Sequence, residues 1–157
     1  MVVSRSYGSE ECVVIPANNP EYIYSLIDSS YDAIVIDEAQ FFYTQEIPVY
    51  LSELGFSGNI KKLSIVDVVQ DLADKGYYVI ISGLDMTSDR KPFNHMPELL
   101  AIANEVVKLR AVCECCKNEW AQYSYTKIDK DEDILVGATE YIVVCRECYK
   151  KLVNKRR

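Results

Sequence analysis

Long apolar runs are missing from this chain of 157 residues. None approaches the ~20 residues that cross a bilayer, so no membrane role is expected. The opening residues, Met1-Val2-Val3-Ser4-Arg5, lack the basic stretch and apolar run of a secretory signal. A cytoplasmic, reducing location is the expectation. Cysteine is sparse, six in the whole chain, too few for a small fold built on disulfides. Basic residues are in deficit, 17 against 24 acids, for a formal net charge of −7. That argues against a broad nucleic-acid surface, which relies on Lys and Arg facing phosphates. The deficit is uneven: residues 150–157 hold five bases and no acid, and residues 1–149 hold 12 bases against 24 acids. The one histidine, His95, sits in a polar stretch where solvation is expected.

What is present is an ordinary globular composition, 49% apolar and 26% charged, in a length suited to one domain or one domain with a small appendage. Val13-Val14-Ile15, stopped by Pro16, reads as a strand. Pro20 opens a helical pattern through Tyr22, Ile23, Leu26 and Ile27. Ala33-Ile34-Val35-Ile36 is a continuous apolar run that fits a strand buried on both faces. Pro48, Gly55 and Gly58 break the pattern over residues 43–64, which reads as a short helix and a loop. Val68, Val69, Leu72 and Ala73 mark a helix from Ile65, with Gly76 where a C-terminal cap belongs. Tyr77–Ile81 is a second strand, residues 84–96 are irregular, and Pro97 opens a helix through Val107. Strand–helix–strand–helix order favours a parallel sheet with helical crossovers. After Arg110 the pattern changes to cysteine pairs and short tyrosine-rich strands. The boundaries expected are an α/β domain over 1–110, a metal-binding domain over 111–149 and a solvated basic tail over 150–157.

Cys113-x-x-Cys116 and Cys145-x-x-Cys148 are the strongest chemical signal. A two-residue gap lets both thiolates of a pair reach one tetrahedral ion about 2.3 Å away, and two pairs close a structural zinc site. Four cysteines leave no open position for a reacting water. Cys115 is an alternative ligand, but adjacent Cys115 and Cys116 make a poor chelating pair. Cys115 and Cys12 read as spare thiols, Cys12 as a buried or half-buried one.

Ile34-Val35-Ile36-Asp37-Glu38 has the Walker B form, an apolar strand ending in two acids. Ligands in open α/β sheets bind at the carboxyl ends of strands. An aspartate there can serve Mg²⁺, and a glutamate beside it can accept a proton from an attacking hydroxyl. Equally, many strands end in an acid that only caps the next helix.

Ile36-Asp37-Glu38-Ala39-Gln40-Phe41-Phe42 resembles the Walker B segment of the type II thymidine kinases. The resemblance continues through Gly83-Leu84-Asp85, Arg90-Lys91-Pro92-Phe93, Met96-Pro97-Glu98-Leu99-Leu100 and Val107–Cys113. It resumes at Ile134-Leu135-Val136-Gly137-Ala138, Tyr141 and Cys145-Arg146-Glu147-Cys148-Tyr149, and Val2-Val3-Ser4-Arg5 is similar to a stretch after the family's second strand. The resemblance implies a P-loop-NTPase-like, mostly parallel sheet, truncated at its N-terminus, followed by a small zinc ribbon. It implies transfer of the ATP γ-phosphate to the 5′-hydroxyl of thymidine, giving dTMP for DNA synthesis. Glu38 matches the general base and Asp37 the acid on the Mg²⁺ side. Gln40 and Phe41 match positions near the nucleoside. Leu84 and Phe93 match apolar contacts in a lasso loop over residues 84–96 that closes on the base. Tyr141 and the backbone around Val136 match the part that reads thymine edges, and Ser124 matches a threonine near the base with a one-residue shift. A homotetramer, structural Zn²⁺ and Mg²⁺ with ATP are implied as well.

The chain departs from the family pattern in three places. It contains no G-x-x-x-x-G-K-[ST]. That loop cradles phosphates with backbone N–H groups and a lysine, and the family carries it upstream of where this chain begins. The expectation is therefore weak ATP binding and little or no turnover by these residues alone. A remnant that binds nucleoside or forms oligomers without phosphorylating is the alternative reading. Ser88 stands where the lasso usually has phenylalanine, and residues 43–64 read as an insertion. A zinc-ribbon module on an unrelated α/β domain would leave Glu38, the lasso residues and Tyr141 unexplained together.

Overall fold

The computed structural model describes residues 2–4, 8–10, 12–44, 46–51, 56–126 and 141–156. The strands are β1 (Val2–Ser4), β2 (Gly8–Glu10), β3 (Ala33–Ile36), β4 (Glu46–Leu51), β5 (Phe56–Lys61), β6 (Tyr78–Ile81), β7 (Tyr123–Thr126) and β8 (Tyr141–Val144). The helices are α1 (Ile65–Asp74), α2 (Met96–Ile102) and α3 (Arg146–Arg156). Short 3₁₀ turns cover Pro20–Ser25 and Ala39–Phe41. The fold is a small α/β one. β3 and β6 pair in parallel, Ala33 opposite Tyr78 through Ile36 opposite Ile81. The other described pairings, β1–β2, β4–β5 and β7–β8, are antiparallel. Compactness divides the chain into two units, residues 1–84 with 94–102, and residues 85–93 with 103–157.

In the first unit, α1 begins where its sequence supplies a cap. The Ser64 hydroxyl accepts the Asp67 N–H at 3.2 Å, and the Asp67 carboxylate accepts the Ser64 N–H at 2.8 Å. This reciprocal pair satisfies two donors that the first turn leaves without helical partners. Ile65, Val68, Val69 and Leu72 then fall on one face and are buried with Ile23, Ile36, Met96 and Leu99. Each such side chain contributes about 1.5–3 kcal/mol by leaving water. Gly76, at φ 92°, ends the helix in a left-handed conformation that a Cβ disfavours. Its N–H returns to the Ala73 carbonyl.

Several expectations are corrected. Val13-Val14-Ile15 forms no strand, and Val14 is 80% exposed. The pattern from Pro20 gives a 3₁₀ turn ending at Ser25. β3 is buried on one side only: Ile36 is in the core while Val35 is 68% exposed. Residues 43–64 hold a hairpin, β4–β5, in place of a helix and loop. Pro48 lies opposite Asn59 within it. A two-stranded ribbon has a free edge on each strand, so proline there need not break a ladder bond. The helix from Pro97 stops at Ile102, before the β-branched Val106 and Val107, whose stiff side chains disfavour a helix. The basic segment is helical through Arg156, within α3, with Lys150, Lys151, Lys155 and Arg156 exposed as expected of a solvated end. Cys12 is exposed.

The second unit has its own small core of Cys113, Ala121, Tyr123, Val144, Cys148 and Tyr149. Tyr149 packs its ring against Tyr123 and, edge-on, against Tyr125, with centroids 5.7 and 5.8 Å away. No helix among the described residues is long and apolar enough to cross a membrane.

Candidate functional site

Parallel pairing of β3 and β6 brings their carboxyl ends side by side, and the acids follow directly. The Ser82 N–H donates to the Ile36 carbonyl at 2.9 Å, and the Ala39 N–H donates back to the Ser82 carbonyl at 3.0 Å. Asp37 Oδ1 accepts the Ser82 hydroxyl and, at 2.9 Å, the Glu38 N–H. The Asp37 carboxylate is thereby fixed between the two strand ends. Glu38 turns the chain at φ 56° and ψ 38°, a left-handed conformation that a side chain with a Cβ adopts at a cost. Both acids are exposed.

Gln40 is fully buried on the following 3₁₀ turn. Its amide nitrogen donates to Glu38 Oε2 at 2.5 Å and its amide oxygen accepts the Leu84 N–H at 3.1 Å. Its main-chain carbonyl accepts from Asn94 Nδ2 at 2.7 Å. Phe41 is half-buried, and Leu84 is 51% exposed. The first unit therefore gathers Asp37, Glu38, Gln40, Phe41 and Leu84, while Phe93 belongs to the second unit and is 8% exposed. His95, expected to be solvated, is half-buried, and its Nε2 pairs with the Thr44 hydroxyl at 2.8 Å. Ser82 and Asn94 were missed by sequence reasoning. Ser82 had a signal, since the residue after one parallel strand sits beside the residue after its neighbour. Asn94 had none, because its partner lies 54 residues away.

The segment 85–93 folds within the second unit. The Phe93 N–H donates to the Asp85 carbonyl, and Met86 and Pro92 form an antiparallel bridge. Lys108 pairs with Asp85 at 2.6 Å. The Tyr149 hydroxyl donates to the Ser88 carbonyl at 2.7 Å, and the Arg90 guanidinium lies 4.6 Å from the Tyr149 ring centre. Ser88 thus meets α3 through its backbone. In the β7–β8 ribbon Thr126 lies opposite Tyr141 and Ser124 opposite Val143. Residues two apart share a face, so Ser124, Thr126, Tyr141 and Val143 are on one side. Val136 lies outside the described residues.

The sulfurs of Cys113, Cys116, Cys145 and Cys148 all lie within 4.8 Å of one another. Cys116 and Cys145 are 3.8 Å apart. A tetrahedron with Zn–S bonds of about 2.3 Å has edges of about 3.8 Å, so the cluster could hold a zinc ion. The first pair is shaped by a tight turn in which the Lys117 N–H returns to the Cys113 carbonyl and Lys117 adopts φ 61°. Burial pushes the Cys113 thiol up, but N–H groups of Cys116, Cys145 and Cys115 outweigh it and bring it down to about 6. Burial pushes the Cys148 thiol well up, and the neighbouring sulfurs add to that. A thiolate crowded by three more sulfurs is an arrangement that a cation neutralises. Cys115 is exposed and is not one of the four converging sulfurs.

A family model described as thymidine kinase matches residues 49–149. The chain is 40% identical over 148 residues to a thymidine kinase of Mycoplasma mobile, covering 94% of this chain and 64% of that protein. It is 39% identical over 147 residues to a thymidine kinase of Porphyromonas gingivalis, covering 93% of this chain and 62% of that one. With a thymidine kinase of Pseudothermotoga lettingae it shares 33% identity over 152 residues, covering 96% and 72%. The chain thus spans a little under two thirds of the first two relatives.

Proposed function

The chain belongs to the thymidine kinase family, and on that footing we propose that it serves transfer of the ATP γ-phosphate to the 5′-hydroxyl of thymidine, giving dTMP. The observation that carries this reading is the Asp37–Glu38 pair at the carboxyl ends of two parallel strands, the place where open α/β sheets bind ligands. Glu38 accepts the 5′-hydroxyl proton as the phosphoryl group transfers in line. One of its oxygens is held by Gln40, which leaves Oε1 to take the proton. Asp37 is held through Oδ1, with Oδ2 remaining for the magnesium side of the site. Mg²⁺ with ATP, when bound, supplies charge neutralisation at the phosphates. The sheet is read as part of a P-loop-NTPase-like fold.

Leu84, Phe41 and Phe93 serve the nucleoside through the stems and body of the 85–93 loop, and Ser124, Val136 and Tyr141 serve thymine recognition. Closing such a loop excludes water, which would otherwise take the phosphoryl group. Zinc held by Cys113, Cys116, Cys145 and Cys148 stabilises the second unit. A cytoplasmic homotetramer completes the proposal. The alternative is a second reading, nucleoside binding without phosphoryl transfer by these 157 residues, which hold no G-x-x-x-x-G-K-[ST] of their own. Thymidine binding by calorimetry, paired with ATP-dependent formation of dTMP followed by ³¹P NMR, separates them. Binding with conversion supports the kinase and binding without conversion the second reading. Failure of both would overturn both.

A further inference from the structure

Gln40 has an environment that a nucleoside contact does not need. It is fully buried, and both atoms of its amide are already bonded within the protein. The orientation of that amide is determined by its partners. The Leu84 N–H is a donor only, so the amide oxygen must face it, and this turns the amide nitrogen towards the Glu38 carboxylate. The seat is closely built. A Cβ at Gly83 would lie 2.6 Å from the Gln40 amide oxygen and 3.3 Å from the Ala39 nitrogen and the Met96 sulfur. Glycine is therefore needed there to let the β6 end approach the amide.

Leu84 and Asn94 are the two residues that flank the 85–93 segment. Both are tied to Gln40, Leu84 through the side-chain oxygen and Asn94 through the main-chain carbonyl. One residue thus connects a carboxylate at the strand end to both stems of a loop.

We infer that Gln40 is a positioning residue: it aims the Glu38 carboxylate and makes that aim depend on the loop stems being seated. The inference rests on Glu38 serving as the base, as proposed above. If the Leu84 bond breaks, the amide can rotate and its donor leaves Glu38 Oε2. Conversely, losing the Glu38 carboxylate frees the amide and weakens its hold on Leu84. Gln40 touches no substrate in this role. It acts through Glu38, much as outer residues orient the groups that react.

Hydrogen exchange by NMR on the 157-residue chain tests the coupling without any need for turnover. Glu38→Ala should speed exchange of the Gln40 side-chain NH₂ and of the Leu84 amide by roughly tenfold, with the Leu72 amide in the core of α1 unchanged. Gly83→Ala should do the same while leaving the Glu38 carboxylate in place. Gln40→Glu keeps an acceptor for Leu84, so that amide should stay protected even though the donor to Glu38 is gone. Unchanged exchange at Gln40 and Leu84 in Glu38→Ala would overturn the inference.

Kinetics supply the second readout. Gln40→Met should lower kcat for dTMP formation by roughly tenfold or more while the KM for thymidine stays within about threefold. A raised KM with unchanged kcat would show that Gln40 reads the substrate and would also overturn the inference. Where the 157 residues form no dTMP by themselves, kcat and KM are read on a form extended upstream to carry a phosphate-binding loop, and the exchange data decide whether the clasp exists.

Discussion

Glu38 stands in a backbone conformation that its side chain disfavours, and the cost is tolerated next to the proposed chemistry. Left-handed φ in a residue with a Cβ costs on the order of 1 kcal/mol. Glu38→Gly relieves that cost but also removes the acceptor of the buried Gln40 amide nitrogen, so the two effects oppose and the thermal stability should change by no more than about 1 kcal/mol. A thermal melt checks this. Destabilisation by more than about 1 kcal/mol would mean that the carboxylate holds the turn together and is not exempt from a structural role. The acids at residues 37 and 38 were legible in the sequence because they end an apolar run. Their partners were not. Gln40 matches a position near the nucleoside by resemblance, and its burial and its bonds to Leu84 and Asn94 are set by a fold that brings residues 44 and 54 positions apart together.

At the scale of elements, what could be read was whatever a single segment determines. α1 has its cap at Ser64, its apolar face and its Gly76 stop within one stretch, so local rules suffice. β3 and β6 are short β-branched runs and were equally plain. The β4–β5 hairpin was missed because Pro48 and two glycines resemble loop signals, and only pairing between the two strands overrides them. α2 was overextended because apolar spacing continued past the point where the chain leaves the first unit. α1 also makes a contact with a pH consequence. The Tyr24 phenol, on the 3₁₀ turn, is pushed up to about 12 by burial first, then by its hydrogen bond to Asp71 and the charges of Asp71, Asp67 and Glu21. The folded state thus favours the neutral phenol more than the unfolded chain does, whose phenol ionises near 10. That contribution is complete below pH 10 and is lost as pH rises towards 12. Unfolding by urea at several alkaline pH values should show a decline in stability across this window. Tyr24→Phe should flatten it, and an equal decline in the variant would place the effect elsewhere.

For the whole molecule, the cysteine spacing announced a four-sulfur cluster, and the sulfurs do converge in an arrangement that could hold a zinc ion. The loop at 85–93 was recognised by resemblance, but its membership of the second unit could not be read from its sequence. That membership depends on Tyr149 meeting Ser88 and Arg90 of the loop and on Lys108 meeting its Asp85. Among the described residues the core of the second unit has six buried side chains, two of them cysteines of the four-sulfur cluster, so metal and folding should be linked. Metal analysis should find about one zinc per chain. Removing it with a chelator should expose the amides of Ala121, Tyr123, Val144 and Tyr149 to exchange. Continued protection of those amides without metal would show that the cluster is not a structural support.

We propose the strand end at Asp37 and Glu38 as the place where thymidine is phosphorylated. Initial rates of dTMP formation by an active form extended upstream to carry a phosphate-binding loop, with Glu38 intact and as Glu38→Gln, and thymidine binding measured in parallel, test it most directly. The account predicts a rate lower by roughly 10²–10⁴-fold in Glu38→Gln, the usual worth of a general base, with thymidine affinity within about threefold. Equal rates in the two proteins would contradict it.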